Sequence, residues 1–163
     1  MNEFQAKRLA RTYTHQVEAP AARVFPLLCP TREYDWIEDW ECDLIWSASG
    51  VAENNCVFRT DRPLEGETFW MVTRYEPDAV IEFALFTPGS RVMKMDLALR
   101  EGPAGRTTIR WTHTFTSLSR AGNDFLDLVT EERYLEKMNG LHQELDYYLR
   151  TGRRLAKTGS AHL

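Results

Sequence analysis

Three of the four histidines stand where an imidazole could do chemistry inside a folded domain. His113 lies on the apolar side of one alternating segment, His15 lies on another alternating segment, and His142 falls between Met138 and Leu145 in an apolar helical stripe. Such imidazoles could act as general acids or bases on a bound carbonyl compound. The three could also bind a metal ion, although no local ligand spacing marks such a site. Alternatively, each could simply donate a hydrogen bond at the edge of the core.

Arg74 is a second candidate, because strand alternation places it on the same predicted apolar face as Val72. A guanidinium there would be costly without a partner, so it could bind a ligand carboxylate or phenolate through two hydrogen bonds. Glu132 or Glu131 on a later helix could pair with it instead. If the strand has the opposite phase, Arg74 lies in water and this hypothesis lapses.

The segment EYDWIEDWE, residues 33–41, interleaves aromatic and acidic side chains. It could form the mouth of a pocket, with Tyr34 and Trp36 controlling access and Asp35 orienting a polar group. The alternative is a surface helix whose aromatic side chains pack onto the edge of a sheet.

Composition restricts the class of protein. The 163 residues can bury a core without disulfides or metal, and a net charge of −4 with 27% charged residues argues against a nucleic-acid surface. Three cysteines without a CxxC spacing indicate reduced thiols. No phosphate-binding glycine loop or nucleophile elbow is present, and we predict no cofactor. No stretch approaches the roughly 18 apolar residues of a spanning helix, so we expect no membrane span and a cytoplasmic location.

Strand-like alternation recurs along the chain between proline and glycine turns. The first alternating segment covers residues 7–18, and two short helices are predicted after it, at 21–28 and 32–36. Further strands are predicted as consecutive hairpins. They cover residues 41–47, 55–61, 67–76, 79–86, 91–101 and 107–116.

One antiparallel register brings the apolar sides of these strands onto a single face. It places Met95 opposite His113, Phe83 opposite Met95 and Val72 opposite Phe83. A slip of one residue would turn a whole strand to the other face, so their agreement supports this register. The predicted inward face comprises Leu44, Trp46, Cys56, Phe58, Trp70, Val72, Arg74, Ile81, Phe83, Leu85, Met93, Met95, Leu97, Ile109, Trp111, His113 and Phe115.

Apolar residues at spacings of three and four predict one long amphipathic helix over residues 123–149. At about 1.5 Å per residue it would be about 40 Å long and would cross the whole domain. Gly152 stands where a left-handed helix terminator is expected, and Gly140 could permit a bend or a close approach.

The order strand, two short helices, six strands and a long C-terminal helix resembles that of the START-like, or SRPBCC, helix-grip superfamily. The stretches VEAPAARVFPLLCPTREYDWI, IWSASGVAENNCVF and WTHTFTSLS carry this resemblance. It implies an α+β helix-grip fold, in which a curved seven-stranded antiparallel sheet wraps around the C-terminal helix and encloses a cavity. We therefore expect a single domain over residues 1–152 and a tail over residues 153–163.

The resulting prediction is a protein that binds a small hydrophobic, aromatic or ring-bearing molecule between sheet and helix. An alternative is a polyketide cyclase- or dehydratase-like enzyme that uses His113, His15 or His142 as acid or base. A partner-binding module is a third reading, and a homodimer is compatible with the sequence. The predicted ligand contacts are Trp46, Phe58, Trp70, Arg74, Phe83, Met95, Trp111, His113, Glu132, Met138 and His142.

Overall fold

A computed structural model describes residues 3–157 of the chain. Within them, seven strands and four α-helices form one sheet and one helical layer. Strands β1 to β7 cover Arg8–Val17, Asp43–Trp46, Val57–Arg62, Gly66–Glu76, Val80–Thr87, Arg91–Glu101 and Thr107–Ser117. Helices α1 to α4 cover Ala21–Val24, Pro30–Glu33, Arg120–Leu128 and Glu131–Thr151, with 3-10 turns at Phe25–Leu28 and Pro103–Gly105.

The sheet is antiparallel, with the strand order β1-β7-β6-β5-β4-β3-β2. The predicted register is confirmed in its centre, where Met95 lies opposite His113, Phe83 opposite Met95 and Val72 opposite Phe83. Val72 and Phe83 are buried on the inner face. Burying such a side chain completely stabilises a fold by about 1.5–3 kcal/mol, so this face holds the sheet against the helices.

The edge strand β2 departs from the predicted face. Its pairing with β3 shifts between Leu44, which lies opposite the buried Phe58, and Trp46, which lies opposite Val57. A bulge of one residue moves every later side chain to the other face of the sheet. The predicted inward position of Trp46 is therefore wrong, and this side chain is 55% exposed.

The predicted single C-terminal helix is two helices, because the chain leaves helical geometry at Val129 and Thr130. The Thr130 side chain caps α4 by accepting a hydrogen bond from the Arg133 amide. Arg11 of β1 donates to the Val129 carbonyl at 3.0 Å. The prediction of one continuous helix over residues 123–149 is wrong at this point.

Two helix glycines differ in how closely another element approaches them. A Cβ atom at Gly122 of α3 would overlap the Ser90 carbonyl oxygen, whereas one at Gly140 of α4 would meet nothing within 4 Å. The predicted close approach at Gly140 is therefore wrong, and the tight contact lies at Gly122. Gly152 ends α4 with a φ of 70°, as predicted.

The chain beyond α4 turns back onto the domain as far as it is described. Lys157 lies 3.4 Å from the buried Glu144 carboxylate, and its amide donates to Glu38. The rest of the predicted tail, residues 158–163, lies outside the described residues. Among residues 3–157, no helix is both long and apolar enough to cross a membrane.

Candidate functional site

A cavity of about 150 Å³ lies between the inner face of the sheet and helices α2, α3 and α4. Tryptophans contribute much of its wall: Trp36 and Trp40 come from the segment that follows α2, Trp70 from β4 and Trp111 from β7. Three methionines add to the apolar lining, together with several leucine and phenylalanine side chains. The methionines are Met93 and Met95 of β6 and Met138 of α4. Aromatic rings and flexible thioethers suit the flat, variable surfaces of ring-bearing molecules.

Among the described residues, one imidazole faces this cavity. His113 is buried, and its Nδ1 lies 2.9 Å from the Tyr134 hydroxyl. Burial, together with a smaller effect of the positive charge of Lys137, lowers the pKa of His113 from 6.5 to about 3. The ring is therefore neutral at physiological pH. Among the described residues, Tyr134 is its hydrogen-bond partner, so Nε2 remains available to a ligand.

A carboxyl group lines the cavity on the side of α2. Burial raises the pKa of Glu33 from 4.5 to about 8, although the positive charge of Arg62 acts in the opposite direction. At neutral pH this group therefore carries a proton and can donate a hydrogen bond. The site thus contains a neutral imidazole and a protonated carboxyl group.

Charged residues gather at the end of the cavity formed by the β3–β4 and β5–β6 turns. Lys137 of α4 lies 2.6 Å from the Glu65 carboxylate, and Arg91 donates to the Glu65 carbonyl oxygen at 2.9 Å. Burial alone would raise the pKa of Glu65, but the positive charges of Lys137, Arg62 and Arg91 lower it below its ordinary value. Positive charge therefore dominates this end of the site.

The mouth of the cavity lies between the β3–β4 turn and the junction of α3 with α4. Leu64 and Leu128 line the cavity there and are 65% and 42% exposed. Leu64 has a φ of 68°, a left-handed conformation that is unusual for a branched side chain. Exposed leucines at an opening are consistent with a route for apolar molecules.

Five of the predicted ligand contacts line the cavity: Trp70, Met95, Trp111, His113 and Met138. Whether they bind a ligand stays a prediction. Phe58 and Phe83 lie one layer behind, with ring centroids 5.0 and 5.7 Å from that of Trp70. Glu132 is exposed in the first turn of α4 and does not contact the cavity.

Arg74 does not lie on the inner face. The β4–β5 pairing shifts between Val72 and Arg74, so that Arg74 lies opposite Glu82 on the outer face. Its guanidinium is 2.7 Å from Glu76 and 3.3 Å from Glu82. The prediction of an inward Arg74 that binds a ligand or pairs with Glu132 is wrong, because a bulge reverses the phase of the strand.

The other two candidate histidines form a separate cluster. The rings of His15 and His142 are in contact, with centroids 4.2 Å apart, and His15 Nε2 accepts a hydrogen bond from the Trp111 indole at 3.0 Å. His142 Nδ1 lies 3.3 Å from the Tyr13 hydroxyl. Neither histidine lines the cavity, so the expectation of three imidazoles in one chamber is wrong.

The three-histidine metal alternative also fails on geometry. Trp111 separates His15 from His113, with its ring centroid 6.4 Å from each of theirs. Across residues 3–157, no three His, Cys, Asp or Glu side chains are arranged to hold a metal ion.

The segment after α2 supplies part of the cavity wall, but not through the residues we expected at its mouth. Trp36 is buried, and its indole donates to the Leu27 carbonyl at 2.6 Å. Tyr34 instead donates to the Cys42 carbonyl at the surface, and Asp35 pairs with Arg32. The tryptophans of this segment pack inward, as the alternative expected of its aromatic side chains, and the Trp40 ring lies 6.1 Å from that of Trp70 on β4. The proposed roles of Tyr34 and Asp35 have no support in their positions.

Sequence reasoning missed the polar residues Arg62, Glu65, Arg91, Tyr134 and Lys137. Signals for some of them were present. Arg91 is in strand phase with Met93 and Met95, and Tyr134 precedes Met138 by one helical turn.

No protein-family model matches this chain, and no curated protein matches it. Solved structures do. The aromatase/cyclase ZhuI from Streptomyces sp. R1128 has a TM-score of 0.66 and 16% identity, and the match covers 91% of this chain and 100% of the ZhuI chain. An uncharacterised protein from Rhizobium leguminosarum has a TM-score of 0.64 and 18% identity, over 90% and 97% of the two chains. Ara h 8.0201 has a TM-score of 0.62 and 10% identity, over 89% and 99%.

These similarities and the sheet order define the class of fold: the chain has an α+β helix-grip fold, in which a seven-stranded antiparallel sheet packs against a long C-terminal helix.

Proposed function

We propose that this protein binds a small apolar, ring-bearing molecule in the cavity between the sheet and the C-terminal helix. The observation that carries the proposal is an internal volume of about 150 Å³ with tryptophan and methionine walls. An apolar cavity of about this volume in another protein accommodates benzene. The ligand would therefore place one ring inside, and any larger part would extend through the mouth at Leu64 and Leu128.

The neutral His113 imidazole supplies the polar contact that orients this ligand. A buried polar group that is left without a partner costs free energy, so a ligand with a matching hydrogen-bonding group would be preferred. The Tyr134 hydroxyl fixes the orientation of the ring. We also propose that the protein acts in the cytoplasm, where Cys29, Cys42 and Cys56 would remain the free thiols that they are in the fold.

A pair of neighbouring substitutions tests the binding proposal. Met93 lines the cavity, whereas Val92 lies on the outer face of the same strand. Calorimetric titration with cinnamamide, an uncharged one-ring probe, should show binding to the wild type and to Val92→Trp. Met93→Trp fills the cavity and should abolish it. Binding that is equally strong in both variants would place the probe elsewhere and contradict the proposal.

A second function, acid–base catalysis, is favoured by one specific observation. Glu33 and His113 line the same cavity, and burial moves the pKa of the first up to about 8 and that of the second down to about 3. A group that can donate a proton to a carbonyl oxygen and an imidazole that can accept one thus coexist at neutral pH. Because a pKa of about 3 makes His113 a weak base, the acceleration expected from this pair is modest.

Deuterium incorporation into the methyl group of acetophenone tests this second function. The wild type should accelerate the exchange in heavy water, and the acceleration should decline above about pH 8 as Glu33 loses its proton. His113→Gln should remove the acceleration while the probe still binds. Exchange at the uncatalysed rate, or acceleration that survives this substitution, would leave only the binding function.

A further inference from the structure

The charged end of the cavity contains a guanidinium whose charge is not matched by its neighbours. Arg91 is only 7% exposed, and its hydrogen bonds go to the Ser90 hydroxyl at 3.1 Å and the Glu65 carbonyl at 2.9 Å. Its Cζ lies 3.4 Å from the centroid of the Phe125 ring. No residue among 3–157 forms an ion pair with it. Buried charges in proteins are normally paired, so this arrangement calls for an anion.

A second cation of the cavity is half-buried and also lacks an ion pair among the described residues. Arg62, at the end of β3, lies 6.0 Å from the centroid of the Trp40 ring and forms no ion pair with a described residue. Lys137 is paired, and its partner is Glu65. At this end of the cavity three cations therefore share one ionised carboxylate; the fourth lining cation, Arg133, is exposed on α4. Because the raised pKa of Glu33 keeps that group protonated at neutral pH, the four charged groups at this end carry a net charge of +2.

The charged end and the apolar centre lie along one strand. Arg91 precedes Met95 by four residues on β6, which corresponds to about 13 Å of extended chain, and Met95 lies opposite His113. A ligand that spans this distance would meet cations at one end and aromatic and thioether surface at the other.

We propose that the ligand of this cavity is an apolar carboxylic acid, whose carboxylate binds Arg91 and Arg62 while its ring packs toward Trp70 and His113. This inference rests on the proposed binding function and names the chemical class of the ligand. A carboxylate can accept two parallel hydrogen bonds from one guanidinium, which a ketone or an amide cannot match. The ion pair would also form in a site shielded from water, where it is screened less than at the surface.

Cinnamate and cinnamamide test the proposal because they share a ring and a chain and differ only in the charge of the terminal group. Calorimetric titration of the wild type at neutral pH should give a dissociation constant for cinnamate at least about tenfold lower than for cinnamamide, as expected for hydrogen bonds to charged groups. Arg62→Gln and Arg91→Gln should each reduce this preference. Arg59→Gln, on the outer face of the same strand as Arg62, is the matched control and should preserve it.

The outcomes separate the two proposals. Equal binding of both probes to the wild type would overturn the carboxylate inference and leave the binding function standing. Binding of neither probe would overturn both. If Arg91→Gln does not fold, Arg62→Gln decides, since its side chain has no ion-pair partner among the described residues to lose. A preference for cinnamate that survives Arg62→Gln but falls in Arg59→Gln would place the anion outside the cavity and overturn the inference.

Discussion

Acidification should destabilise the fold through His113, and the size of the effect follows from its surroundings. Burial, with a smaller contribution from the charge of Lys137, lowers the pKa of this histidine from 6.5 in the unfolded chain to about 3 in the fold. As the pH falls below 6.5, His113 therefore becomes protonated in the unfolded chain but stays neutral in the folded chain. The stabilisation is complete above pH 6.5 and is lost progressively toward pH 3.

The magnitude can be worked out from the linkage relation. Each pH unit in this window changes the free energy of unfolding by about 1.4 kcal/mol per group. Between about pH 7 and about pH 4.5, His113 alone should lower the free energy of unfolding by about 2.5 kcal/mol. His15, with a pKa lowered to about 4, acts in the same direction, whereas Glu33, with a raised pKa, acts in the opposite one.

Because the contributions of His113, His15 and Glu33 overlap, the informative quantity is the difference in the free energy of unfolding between the wild type and a His113 variant. Urea unfolding of the wild type and of His113→Gln across this range should show the wild type losing about 2.5 kcal/mol more than the variant. Thr112→Gln, which alters the neighbouring side chain on the opposite face, should keep the wild-type pH dependence. Nitrogen NMR of the His113 ring gives an independent reading. A titration midpoint near pH 6.5, or identical pH dependences in the two proteins, would refute the dry, cavity-facing position of this imidazole.

Three further predictions concern packing, capping and the carboxyl group of the cavity. Gly122→Ala should cost about 1–3 kcal/mol in urea unfolding, because its new methyl group would strike the Ser90 carbonyl. Gly140→Ala, where space is open, should instead gain up to about 1 kcal/mol, and equal effects would contradict the packing. Thr130→Ala should cost about 1 kcal/mol through the lost cap of α4, and no change would mean that the cap is dispensable. Glu33 has a pKa of about 8 in the fold, so its stabilisation is complete below pH 4.5 and is lost as the pH rises through 8. Between about pH 5 and 9, the free energy of unfolding of Glu33→Gln should therefore rise relative to that of the wild type. An equal pH dependence in the two proteins would show that Glu33 is an ordinary carboxylate.

The centre of the sheet was predictable from the sequence because side chains in a strand alternate with a period of two. Once Met95 lies opposite His113, the neighbouring pairs follow, and the structure confirms them. The bulges were not predictable by this reasoning. In each strand one residue before Trp46 or Arg74 has no partner on the neighbouring strand, and nothing in the residue types marks it. This bulge turns the Trp46 side chain outward in β2 and the Arg74 side chain outward in β4.

The apolar wall of the cavity was more accessible to sequence reasoning than its polar residues. Apolar periodicity identified Trp70, Trp111 and Met138 as inward-facing. Charged side chains are assigned to solvent by default, and so Arg62 and Arg91 at the strand ends were overlooked. Their inward position depends on the β3–β4 turn and the β5–β6 turn lying next to each other. This neighbourhood is a tertiary contact, seen in the hydrogen bond from Arg91 to the Glu65 carbonyl.

The break between α3 and α4 is a built feature of the site rather than an imperfection of the helix. In a continuous helix the Val129 carbonyl would accept a hydrogen bond from the Arg133 amide. Here the Arg11 guanidinium binds that carbonyl and the Thr130 hydroxyl binds that amide, so the two groups of this lost backbone bond have side-chain partners. Leu128 and Val129 line the cavity at this junction. Under the proposed binding function, this interruption lies where a ligand would enter, and the Arg11 and Thr130 hydrogen bonds stabilise the break without closing the cavity there.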